Sequence, residues 1–233
     1  NVSEDQAKEV AINLVGSNKI KEINSSGLSE NANIPSYSFS CILNDSDKNN
    51  PVTISVSQKG GHIIFMNYNR NINAEVISQE DANKIGKEFL ESKGYSNMKE
   101  TYFLKQDGIM TINYAYAQND VVVYTDLIKV KVALDNGEIL GLETTGYLNS
   151  HTERQIPVPT ISLEQAKSHL NPNLEILSEG FAIIPTEWKT EIFCYEFKGK
   201  VDNTDFLVYI NAENGKEENI LVIINTPNGT LTM

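Results

Sequence analysis

The chain has 233 residues, of which 40% are hydrophobic and 21% charged, and a net charge of −12 at pH 7. That balance is ordinary for a globular protein. The acidic excess, with no basic cluster against it, excludes nucleic acid and anionic lipid headgroups as partners, and no apolar run approaches the roughly 18 residues of a membrane-crossing helix.

The first predicted element is a helix opened by Val2-Ser3-Glu4-Asp5-Gln6-Ala7. Ser3 is placed to cap the first turn and Gln6 to complete a capping box, while Glu4 and Asp5 suit the positive end of the helix dipole. Ala7, Val10, Ala11 and Leu14 form its apolar stripe. Strands are predicted at Ser36–Leu43, Val52–Val56 and Ile63–Tyr68, with a poorer candidate near Ile20–Ile23. Gly60-Gly61, after Val56-Ser57-Gln58-Lys59, supplies the positive φ angles of a two-residue hairpin.

The same order then repeats. Ile77-Ser78-Gln79-Glu80-Asp81-Ala82 opens a second helix, with Ala82, Ile85, Phe89 and Leu90 on one face and Gly94 as its stop. Strands are predicted at Thr101–Lys105, Ile109–Gln118, Val121–Leu134 and Ile139–Thr144, with Asn136-Gly137 as the turn. Ile161-Ser162-Leu163-Glu164-Gln165-Ala166 opens a third, shorter helix before Pro172. Strands at Ile176–Ile184, Glu191–Lys198, Phe206–Asn211 and Asn219–Ile224 follow, with Asn214-Gly215 as the turn. From opening Ser to closing Gly the three spans are 58, 59 and 53 residues. Fixed order at nearly fixed spacing marks tandem copies. The boundaries fall near residues 71–76 and across residues 150–159, a polar connector stiffened by two prolines. The expected units are therefore 1–74, 75–156 and 157–233, carrying net charges of −1, −5 and −6. Each is an α+β unit, one helix on an antiparallel meander that buries one face and wets the other. Units this small are marginal alone and are expected to pack on one another.

The residues that carry chemistry are few. His62, His151 and His169 have no metal-ligand spacing and read as structural or solvated. Asp45-Ser46-Asp47-Lys48-Asn49 resembles the start of a calcium loop, but Asn50 stands where that loop needs Gly and Val56 where it needs a bidentate Glu. Cys41 and Cys194 read as small buried hydrophobes. A disulfide between them depends on a separation that sequence does not give, and the redox compartment stays open. Trp188 is either an exposed anchor or, the favoured reading, a core ring. Counting back fifteen from Val56 and from Ile210 matches Cys41 with Tyr195 and Phe39 with Phe193, a pattern of core filling. No nucleophile elbow, phosphate loop or dinucleotide fingerprint is present.

The opening phrases, together with Val132-Ala133-Leu134-Asp135-Asn136-Gly137-Glu138-Ile139, resemble the PepSY domain, most strongly in the second copy. The third departs at its shortened helix and at Lys216; the first has Gly60-Gly61-His62 at that place. Three such copies resemble the C-terminal part of the YpeB-type spore germination family. The resemblance implies a three-unit PepSY fold, a membrane anchor upstream of the observed chain, which would be a fragment or processed form, and a partner, the SleB-type cortex-lytic enzyme. It carries over no catalytic, cofactor-binding or metal-ligating residue.

The expected function is a non-enzymatic spore germination module that binds, stabilises or restrains a cortex-lytic peptidoglycan hydrolase. Its place would be the outer side of the inner spore membrane or the cortex. The partner-binding surface is left open. The alternatives are a module sensing a small ligand or cell-wall polymer, and an enzyme acting on peptidoglycan through carboxylates.

Overall fold

The structure, a computed structural model, describes residues 1–44 and 48–232. The calcium-loop-like Asp45-Ser46-Asp47 therefore lies outside the described residues. In chain order the elements are α1 (Glu4–Val15), β1 (Ile20–Ser29), β2 (Ser36–Leu43), β3 (Val52–Ser57), β4 (Ile63–Asn67), α2 (Gln79–Ser92), β5 (Met98–Gln106), β6 (Ile109–Gln118), β7 (Val121–Ala133), β8 (Ile139–Glu143), α3 (Thr145–Ser150), α4 (Leu163–Lys167), β9 (Glu175–Pro185), β10 (Glu191–Val201), β11 (Thr204–Asn211), β12 (Glu217–Thr226) and β13 (Gly229–Thr232). The fold is α+β: α1 and α2 are each followed by four strands and α4 by five, and within each set the strands lie side by side in sequence order. Sequence reading missed α3 and β13, both only a few residues long.

The opening phrases are helix caps. Ser3 Oγ accepts the Gln6 N–H at 3.2 Å while Gln6 Oε1 accepts the Ser3 N–H at 2.9 Å. Ser162 and Gln165 repeat this at 3.2 and 2.8 Å. Ser78 Oγ accepts the Asp81 N–H at 3.1 Å and donates to the Asp81 carboxylate at 2.7 Å. The small residues that follow, Ala7, Ala82 and Ala166, are wholly buried.

The closing phrases are four-residue turns rather than the two-residue hairpins expected. Ser57, Ala133 and Asn211 each donate their N–H to the carbonyl five residues on, at His62, Glu138 and Lys216. The final residue of each turn, Gly61, Gly137 or Gly215, takes the left-handed region at φ of 67°, 76° and 77°, and in the first turn Gly60 does so as well, at 82°. Asn136 and Asn214 act through their side chains instead, each Oδ1 accepting the N–H of Glu138 or Lys216 at 2.9 Å.

Opening and closing phrases meet. The residue before each capping serine donates its N–H to the first residue of the turn: Val2 to Gln58, Ile77 to Leu134 and Ile161 to Ala212. In two repeats a tyrosine ties the same spot from below. Tyr37 donates to the Val2 carbonyl at 3.4 Å, and Tyr195 to the Ile161 carbonyl at 2.8 Å. Tyr37 pairs with Val56 and Tyr195 with Ile210, so these two are the matched residues. The match of Cys41 with Tyr195 fails because the β2–β3 connection is longer than the β10–β11 turn, and a fixed count back crosses register.

The chain folds into two compact units. One comprises residues 1–86, 107–111 and 128–148; the other comprises residues 87–106, 112–127 and 149–233. In the first, strands run in the order β1-β2-β3-β4-β8-β7. Phe39, Cys41, Val52, Ile54 and Val56 are buried with α1 above them. The opposite face is open and polar, carrying Ser38, Ser55, a partly exposed Phe65, Glu143 and Lys129 along one cross-strand row. This face is wet, as expected.

The second unit departs from that expectation. Its strands run β7-β6-β5-β13-β12-β11-β10-β9, and β9 then pairs in parallel with β7 through residues 181–183 and 121–123. The sheet thus closes into a ring, and β10 and β11 bury residues on both of their faces. Tyr195, Phe197, Val208 and Ile210 pack toward α4. The alternate residues Cys194, Leu207 and Tyr209 pack inside the ring with Ala182, Ile184 and Ile223. Closure pairs β9 on both sides and so removes it as an edge.

Candidate functional site

The chain contains only two arginines, each eight residues ahead of the next capping serine. Both are structural clamps. Arg70 forms a fork on Asp135, with NH1 and NH2 each 2.8 Å from a carboxylate oxygen, and its Nε donates to Glu138 at 2.7 Å. Asp135, in the turn after β7, also accepts the Asn73 N–H at 3.0 Å. The guanidinium and that amide hold the Asp135 carboxyl far below the usual carboxylate range. The acids of the second closing phrase therefore lock a turn.

Arg154 holds the connector. Its NH1 and NH2 lie 2.9 and 2.8 Å from the Asp126 oxygens, and its Nε and NH2 lie 2.8 and 2.7 Å from those of Glu191. Asp126 is fully buried, and His151 Nδ1 sits 2.8 Å from its second oxygen. Thr125 Oγ1 hydrogen-bonds both Glu191 and Asp126. Hydrogen bonds to Glu191 and Asp126 push Arg154 up, and Arg154 in turn holds Glu191 down. The backbone of Arg154 is sealed too: its N–H and C=O both bond the Gln118 side chain. The 150–159 stretch is thus strapped down, and a cavity of about 780 Å³ opens beside it, lined by Arg154, Val158, Phe193 and Asn211 among others. The scarcity of arginine was the available signal for both clamps, since its planar fork suits bidentate carboxylate pairing.

The remaining candidate residues separate by burial. Cys41 and Cys194 are buried and free, and burial raises their thiols to about 11 and about 12. His62 and His169 are exposed, their rings lying over Gly60 and Gly215 in matching turns. His151 is the histidine the fold uses, against Asp126 and edge-on to Tyr116.

Trp188 is not a core ring: it is 85% exposed. It crowns the β9–β10 hairpin, whose tip is fixed by several bonds. The Thr186 and Thr190 hydroxyls lie 2.7 Å apart, the Thr186 N–H donates to the Thr190 carbonyl, and Lys189 takes φ of 58°. A large aromatic held out on an ordered turn is the side chain best placed for macromolecular contact.

A family model described as YpeB sporulation, PepSY1 and PepSY2 domains, matches residues 1–157, and one described as Peptidase propeptide and YPEB domain matches residues 160–221. The chain belongs to the YpeB sporulation protein family. It is 33% identical over 219 residues to the sporulation protein YpeB of Halalkalibacterium halodurans, covering 94% of this chain and 48% of that protein. It is 32% identical over 222 residues to the YpeB of Bacillus subtilis, at the same coverage. The chain thus spans about half the length of the curated relatives it matches. The solved Bacillus megaterium YpeB C-terminal domain superposes with a TM-score of 0.84 at 30% identity, over 96% of this chain and 99% of that one. Among the described residues no helix is long and apolar enough to cross a membrane.

Proposed function

We propose that this chain is the non-enzymatic partner module of a SleB-type cortex-lytic peptidoglycan hydrolase, which it stabilises or restrains in the dormant spore. It would act on the outer side of the inner spore membrane or in the cortex, through three PepSY units at 1–74, 75–156 and 157–233. The observation that carries this reading is Trp188, an indole set out on a pinned hairpin in a sporulation protein. Two further features support it. Asp81 caps a helix, and Asp135 and Asp126 pair with arginine, so architecture already accounts for these acids. The open face of the first unit's sheet, with Phe65 at its middle, adds contact area of the kind that specific interfaces need.

The test mixes the purified chain with the full-length hydrolase and measures both binding and cortex hydrolysis. Binding that Trp188→Ala weakens at least tenfold, as for a hot-spot aromatic, supports the reading. No binding and no change in hydrolysis overturns it. So does release of muropeptides by the chain alone, which would make it an enzyme.

A further inference from the structure

Inside the ring of the second unit, β10 turns Cys194, Glu196 and Lys198 toward the lumen while Tyr195 and Phe197 face α4. Glu196 is the odd residue in that series, a carboxylic acid among tyrosines and aliphatics. Tyr124 Oη donates to its Oε2 at 2.7 Å. The Tyr124 ring lies 6.5 Å from the Tyr102 ring, stacked, and 6.1 Å from the Tyr209 ring, edge to face. Burial raises the Glu196 carboxyl and the Tyr124 and Tyr209 hydroxyls ease it; among the described residues no lysine or arginine contributes to that shift. Even a half-buried acid is costly to hold without a counter-charge, and proteins usually pair such groups.

The acid opens onto a cavity of about 290 Å³ walled by Tyr102, Tyr124, Leu207 and Ile223, with Lys198 and Glu100 also lining it. We propose that this lumen is a binding site for a small organic ammonium compound, with Glu196 as its counter-charge and the tyrosine rings as its walls. Aromatic faces attract cations through their quadrupole, and quaternary ammonium groups are recognised in this way. The volume admits about ten non-hydrogen atoms at roughly 30 Å³ each, the share of a water molecule. An anion is the wrong guest, since it would meet both Glu196 and Glu100. Lys99, a further lining residue, already faces Asp120 at 3.5 Å. Lys198, two residues from Glu196 on the same strand face, gives the site an internal control of opposite sign.

The experiment is calorimetric titration and thermal shift on the whole chain with choline, 1,5-diaminopentane and 3,3-dimethylbutan-1-ol, the last a neutral isostere of choline. The expected result is a Kd tighter than about 10 mM for at least one of the two cations and none for the alcohol. Glu196→Gln should weaken binding at least tenfold, and Lys198→Ala should strengthen it severalfold. Tyr124→Phe, which keeps the ring, should retain binding and guards against a Glu196→Gln variant that fails to fold. Absence of binding by both cations, equal binding of the alcohol, or unchanged affinity in a folded Glu196→Gln variant overturns the assignment.

Discussion

Arg154→Met should unfold the second unit far more readily than its position in a connector suggests. The substitution keeps an unbranched apolar stem and removes the guanidinium with its charge. It strips two hydrogen bonds, at 2.9 and 2.8 Å, from the fully buried Asp126. Breaking a buried pair by deleting one partner costs about 3–5 kcal/mol, because a charge is left uncompensated. Glu191 is about a third exposed, so its share is at most about 1 kcal/mol. Thr125 and His151 still touch Asp126 and hold the total near the low end, about 3 kcal/mol. At about 2–4 °C per kcal/mol for a domain of 150–250 residues, Tm should fall by roughly 6–12 °C. Urea unfolding followed by circular dichroism measures this, and Asp126→Asn combined with Arg154→Met should cost less than the sum of the single changes. A loss under about 1 kcal/mol, the range of an exposed pair, would refute the claim that Arg154 straps the connector.

Arg70→Leu should destabilise by about 3 kcal/mol at neutral pH, again by orphaning a buried acid, here Asp135. Asp135 has a depressed folded-state pKa, so its contribution is present above the unfolded value of about 3.9 and is lost as pH falls below it. The gap between wild type and variant in urea midpoint should therefore narrow below about pH 4; a gap independent of pH would contradict this. Both thiols should resist a disulfide reagent in the folded chain at pH 8 and react fully in denaturant, since burial holds Cys41 near 11 and Cys194 near 12; rapid labelling of either without denaturant would show an opening the fold does not have. Gly229→Ala should loosen the ring, because a Cβ there would stand 2.5 Å from the Phe103 carbonyl oxygen where β13 meets β5. Faster hydrogen exchange confined to β13 and β5 is the expected signature, and unchanged exchange would show that the contact does not hold the ring shut.

The helix caps and turn glycines were legible because they are local, one-dimensional instructions. The sequence also shows the two phrases recurring together, but the reason is spatial: Val2, Ile77 and Ile161 hydrogen-bond to Gln58, Leu134 and Ala212, more than fifty residues away. Strand existence followed from alternation, and β2 and β6 begin and end where expected. Alternation does not reveal what covers the second face. In β2 the outward positions include Ser38 and Ser40, and an open face results. In β10 they are Cys194, Glu196 and Lys198, which read just as polar, yet the strand pairing of β9 with β7 encloses them. That parallel contact joins segments some sixty residues apart and leaves no periodic trace. Its consequence is physical: closing the ring sets an acid that would have been ordinary on a wet sheet against tyrosine rings and hydroxyls. The same closure explains why Trp188 is outside. With β10 and β11 already packed by α4 on one side and by the lumen on the other, the β9–β10 tip has no core left to enter. An indole placed there faces water unless a second molecule covers it.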